Sequence, residues 1–148
     1  KKYDNILFLG KAVTYPVALE AALKFKEVAY IHAEGMVASE IKHGPLALID
    51  DRVLSVFLLP YGSKEEVLSS SIMSNIEQVR TRGGQIIVIS PFQTKTVKDE
   101  IYPVQELNNE FSYAMWTTFV VQLLSYYVGI SKGICVERPK AIAKCISV

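Results

Sequence analysis

Residues 15–45 read YPVALEAALKFKEVAYIHAEGMVASEIKHGP, and their first half has the period of a helix. With Glu20 as reference and about 100° per residue, Lys24, Glu27 and Ile31 fall within about 40° of it. Leu19, Ala21, Ala22, Leu23, Phe25, Val28, Ala29 and Tyr30 cover almost all the remaining surface, with Lys26 the one charged exception. A helix that is apolar all round is a buried helix. The pattern therefore predicts a buried helix from Pro16 to about His32 that carries Glu20, Lys24 and Glu27 in a row. Buried charges are costly unless they are paired. Pairing accounts for Glu20 with Lys24. It leaves Glu27 as a carboxylate in an unusual setting, and such groups are candidate acids and bases. The same spacing also fits a solvated surface ladder, because Glu-to-Lys pairs at i, i+4 stabilise exposed helices.

On both sides of this block, short apolar runs alternate with helical patterns. Asn5–Leu9 (NILFL), Val53–Leu59 (VLSVFLL) and Gln85–Ile89 (QIIVI) have strand length and sit beside Gly or Pro. A shorter strand is predicted near Ile101–Val104. Pro16 suits the first residue of the helix that follows the Gly10 loop. Ser63 and Glu66 form a capping box for a helix from Lys64 to about Arg82, ended by Gly83 and Gly84. Glu110–Ser131 predicts a long helix whose apolar part, Trp116–Ile130, reads as a core helix. Cys135–Val148 has no clear period and reads as a tail lying on the body. Strands alternating with helices imply an α/β fold, with a parallel sheet covered on both faces. Ligands of such sheets bind beyond the carboxyl ends of the strands. The Gly10 loop, the start of the Glu20 helix and the Pro60 loop lie there. No repeat or linker divides residues 1–148, so one domain is expected.

Composition narrows the function. In 148 residues, 16 Lys+Arg against 15 Asp+Glu leave a net charge of +1, and no basic arm is present. Nucleic acid is not an expected partner. The apolar run Trp116–Ile130 is interrupted by Thr117, Thr118, Gln122, Ser125 and Gly129. It is too short and too polar for a membrane span. No signal peptide opens the chain. Cys135 and Cys145 show no metal or redox spacing, which fits free thiols in a reducing cytoplasm.

No cofactor or metal set is legible. Gly10-Lys11-Ala12 is not a dinucleotide fingerprint, and no P-loop occurs. The first loop, GKAVTY, offers Thr14 as its one aliphatic hydroxyl, too little to cradle a phosphate. Ser69-Ser70-Ser71 falls mid-helix, where serines bind anions poorly. Two histidines and two cysteines are scattered without ligand spacing. His32 reads as packing at a helix end. His43 stands in KHGP, on a turn that could present its ring to a cleft. Lys144 sits among apolar neighbours in AKCIS; desolvation there would favour the neutral amine that imine formation needs. A solvated charge is the ordinary alternative for a tail lysine.

Taken together, ALEAALKFKEVAYIHAEGMVASEIKHGPLALID and the tail ERPKAIAKCISV resemble the second sugar-isomerase half of the glutamine:fructose-6-phosphate aminotransferases. The similarity runs from Lys1 to Val148. It implies a three-layer αβα domain with a five-stranded parallel sheet, the SIS fold, with residues 135–148 as an active-site tail. It implies that Glu27 is the base moving a proton between C1 and C2 of the open-chain sugar, and that Lys24 handles the developing enolamine charge. His43 would assist ring opening from the other subunit of a homodimer. Lys144 would form a Schiff base with the ketone carbon of fructose 6-phosphate, and Glu20 would support the cluster. The family's glutaminase domain and first isomerase half have no counterpart here, so the isolated chain is expected to be inactive. Two other readings fit the same residues: a paralogous SIS enzyme such as a fructosamine-phosphate deglycase, and a non-catalytic module that binds sugar phosphates or dimerises.

Overall fold

The computed structural model describes residues 3, 5–62, 72–91, 100–103 and 109–140. In chain order these form β1 (Asn5–Gly10), α1 (Thr14–Val28), β2 (His32–Val37), two short 3-10 helices (Ala38–His43 and Pro45–Leu48), β3 (Val53–Leu58), α2 (Met73–Thr81), β4 (Gln85–Ser90), β5 (Glu100–Pro103) and α3 (Glu110–Ser131). The strands pair in parallel in the order β2-β1-β3-β4-β5. The α/β class expected from the alternation is thus what the structure shows.

Successive strand residues point to opposite faces, so each apolar run feeds two cores. Ile6 and Phe8 of β1 join Leu54, Val56 and Leu58 of β3 beneath α1 and α3. Leu7 and Leu9 join Val53 and Phe57 on the other face, beneath the 3-10 helices and α2. That two-sided burial explains why β1 and β3 read as continuous apolar runs rather than alternating ones. α1 sits close on the sheet because its inner face is small: Ala18, Ala21 and Ala22 are buried with Val17 and Phe25. Thr14 fixes the start of α1 at the carboxyl edge. Its hydroxyl oxygen lies 2.9 Å from the carbonyls of both Lys11 and Leu58 and accepts from the Lys11 amide.

Three expectations are corrected. The first helix ends at Val28, not near His32, and His32–Val37 is a strand. Tyr30 takes a left-handed backbone (φ 51°), which stops the helix, and the chain then pairs with β1 from Asn5↔His32 onward. Ile31 therefore leaves the charged row. His32 does not pack at a helix end; it is exposed, 3.0 Å from the Asn5 side-chain oxygen. Finally, neither long helix is buried all round. α1 leaves Leu19 and Leu23 in solvent, and α3 exposes Phe111, Met115, Trp116, Phe119, Tyr127 and Ile130. α3 buries only the single row Tyr113, Thr117, Val121, Ser125 and Gly129. The capping box at Ser63, the Ser69-Ser70-Ser71 run, Val104, Lys144 and Cys145 lie outside the described residues.

Tyr113 gives the fold a pH signature. Its hydroxyl donates to the Leu59 carbonyl at 3.0 Å, and burial pushes its pKa up from 10.0 to about 12. A folded-state pKa above the unfolded one favours the folded state below the lower value, and this contribution disappears as pH rises through the higher one. Stability is expected to fall between pH 10 and about 12, and Tyr113→Phe should remove that part of the fall. Urea midpoints measured across that range for both proteins check it; parallel curves would refute the assignment.

Candidate active site

The charged row of α1 survives as a row. Lys24 Nζ lies 2.7 Å from Glu27 Oε2 and 3.9 Å from Glu20 Oε1, and all three side chains are half-buried. The i, i+3 and i+4 spacings place the ammonium between the two carboxylates. The pKa of Lys24 is raised, first by its hydrogen bond to Glu27, with the charges of Glu27 and Glu20 adding and burial opposing. The lysine is therefore held as a cation beside the Glu27 carboxylate.

α3 faces this row. Gln122 Nε2 donates to Glu20 Oε1 at 3.1 Å, across 102 residues of chain. Together the helices line a cleft of about 400 Å³ that contains Lys24, Phe119, Gln122 and Tyr126. Its far wall is Val136 and Glu137, from the segment after α3. The position of the cleft is a finding in itself. α1 runs back from the carboxyl edge toward the strand starts, where His32 pairs with Asn5. Lys24 and Glu27 thus sit on the flank of the domain between two helices, away from the carboxyl edge where Thr14 lies. A second cavity, of about 310 Å³, is lined by Tyr3, Phe25, Tyr30, His32 and Lys132 among others; it contains none of Glu20, Lys24 or Glu27.

The structure brings together Glu20, Lys24 and Glu27 and adds Gln122, which no local pattern in the sequence singles out. His43 ends the first 3-10 helix, before Gly44 (φ 137°), and is exposed. It makes no hydrogen bond or ion pair among the described residues. Lys144 lies outside them. The described segment closest to it is anchored: the Lys140 amide donates to the Tyr30 hydroxyl at 2.6 Å. Among the described residues no group of three or more His, Cys, Asp or Glu could hold a metal, and no helix is long and apolar enough to cross a membrane.

The parallel sheet, the acid–lysine–acid row on its first helix and the cleft shared with a second helix define an α/β domain of the open parallel-sheet class. The chain belongs to the SIS domain family, which matches residues 1–132. It is 42% identical over 146 residues to a glutamine–fructose-6-phosphate aminotransferase (isomerizing) of Vibrio vulnificus, covering 97% of this chain and 23% of that protein. The chain thus spans about a quarter of the length of that relative. The solved C-terminal domain of glucosamine-fructose-6-phosphate aminotransferase from Francisella tularensis superposes with a TM-score of 0.79 at 36% identity, over 90% of this chain and 37% of that one. A tagatose-6-phosphate ketose/aldose isomerase from Escherichia coli shares the fold, with a TM-score of 0.70 at 16% identity over 93% of this chain and 38% of that one.

Proposed function

We propose that this chain is the C-terminal sugar-isomerase half of a glutamine:fructose-6-phosphate aminotransferase, acting as part of a longer protein. In this reading residues 1–148 form one domain, with 135–148 as the tail that closes over the sugar, and the protein is cytoplasmic. The observation that carries it is the Lys24–Glu27 pair at 2.7 Å on the first helix of a SIS fold, with Lys24 lining a cleft between two helices.

The chemistry divides as follows. The neutral amine of Lys144 adds to C2 of open-chain fructose 6-phosphate, and loss of water leaves an imine, which acts as an electron sink. Ammonia released from glutamine elsewhere in the longer protein adds to C2 and displaces the Lys144 amine, leaving an imine of ammonia at C2. Glu27 then takes a proton from C1, the electron pair moves into the enolamine, and the same carboxylate returns a proton at C2 to give open-chain glucosamine 6-phosphate. Lys24 stays charged, offsetting the electron density that develops beside it. Glu20, held by Gln122, keeps the ammonium in place from the other side. His43 assists ring opening in the cleft of a second copy, which its exposed position on a turn allows. No phosphate-holding loop is legible in the sequence, so the isolated fragment is read as inactive.

Two measurements test this reading. Borohydride reduction of the full-length protein in the presence of fructose 6-phosphate is expected to attach the sugar at Lys144, located by peptide mass. An adduct at another residue, or none, removes the imine mechanism. The exposed apolar side of α3 supports a homodimer or a partner half of the longer protein. Sedimentation of the full-length protein is expected to show a species of two copies, and a monomer at all concentrations would count against the dimer.

A further inference from the structure

Tyr30 stands in a conformation that costs a bulky side chain roughly 1 kcal/mol or more, the left-handed region with φ 51°. Glycine would adopt it without steric cost. What the tyrosine adds is a pair of contacts to one residue far along the chain. Its hydroxyl accepts from the Lys140 amide at 2.6 Å, and the Lys140 ammonium lies 5.3 Å from the centre of its ring, within cation–π range. The segment between α3 and Lys140 is fixed at its other end too. Lys132 Nζ donates to the Ala29 carbonyl at 2.5 Å. A Cβ on Gly129 would come within 2.8 Å of Val136 and 2.9 Å of the Val28 carbonyl, so the segment starts in close contact with the end of α1. Between these two ends, Val136 and Glu137 form the wall of the Lys24 cleft.

We infer that Tyr30 is a positioning residue: it clasps the root of the C-terminal tail at Lys140 and so sets the cleft wall that Val136 and Glu137 form beside Lys24. The inference rests on the function proposed above.

The test uses the full-length protein with two readouts, amide exchange in peptides spanning residues 134–148 and the rate of borohydride-trapped adduct at Lys144 with fructose 6-phosphate. Tyr30→Phe keeps the ring and removes the acceptor. It is expected to speed exchange of the tail amides about three- to tenfold, the value of one hydrogen bond, without speeding exchange in β1 or β3. Adduct formation should slow by a similar factor while the KM for the sugar stays unchanged. Lys140→Arg, which keeps the cation and the amide donor, should match the wild type in both readouts, whereas Lys140→Ala should speed exchange. Unchanged tail exchange in Tyr30→Phe overturns the clasp. Faster exchange with an unchanged adduct rate overturns the positioning role. If the wild-type protein forms no adduct at all, the imine reading fails, and tail exchange alone still decides whether Tyr30 holds the tail.

Discussion

Replacing Glu27 by glutamine in the full-length protein is expected to slow sugar isomerisation by about 10²- to 10⁴-fold, the usual contribution of a positioned acid–base group. The amide keeps an oxygen that can accept from Lys24, now 2.7 Å from Glu27 Oε2, so the helix should stay folded and the melting curve nearly unchanged. The loss should appear equally in turnover and in exchange of the C1 hydrogen with deuterated water, because both need the same proton transfer. Turnover at the wild-type rate would remove Glu27 as the base and favour a module that binds sugar phosphates without transforming them.

The second large effect concerns the support beneath that helix. Gly35 of β2 lies against α1 so closely that a Cβ there would come within 2.5 Å of the Ala18 carbonyl oxygen and 2.7 Å of the Leu19 nitrogen. These are backbone atoms, which cannot swing aside as a side-chain tip can. Gly35→Val should therefore push α1 off the sheet and cost about 3 kcal/mol, the upper part of the range for overpacking. Urea denaturation of the variant beside the wild type measures it. Activity should fall as well, because Glu20 follows Leu19 directly. A cost below about 0.5 kcal/mol, within the ordinary spread of surface changes, would mean that the helix is not seated as described.

How far the sequence alone reached can be judged element by element. β1, β3 and β4 were legible because strands buried on both faces are written mostly in Ile, Leu, Val and Phe, with Ser55 the one break inside β3, and α3 was legible to its bounds of Glu110 and Ser131. The edge strand β2 was not. HAEGMV has one β-branched residue and no regular alternation; only Ala33 and Met36 are buried. It is a strand because β1 offers it a hydrogen-bonding partner along six residues, a tertiary cause with no local trace. The helix preceding it was read too long for a related reason. Nothing in VAYIH forbids a helix locally, and the break at Tyr30 comes with contacts to Lys132 and Lys140, more than 100 residues away.

The same limit applies to the site. The row Glu20, Lys24, Glu27 was readable from helical spacing, since its geometry is set within one element. Gln122 and the Val136–Glu137 wall belong to the cleft through packing, which spacing does not encode. The inference that an all-apolar helix must be internal also failed for a physical reason. Composition records that a surface avoids water, and says nothing of whether the cover comes from the same chain. Leu19, Leu23 and the outer residues of α3 are exposed here, although they read as core.

The division of labour on α1 has a consequence for how such proteins diversify. Val17, Ala18, Ala21, Ala22 and Phe25 anchor the rod to its bed, while positions 20, 24 and 27 lie off that bed and pair with one another and with Gln122. Reagents can thus be exchanged on one side of the rod with little disturbance to its mounting. Variation at those three sites should alter which reaction is run long before it alters whether the chain folds.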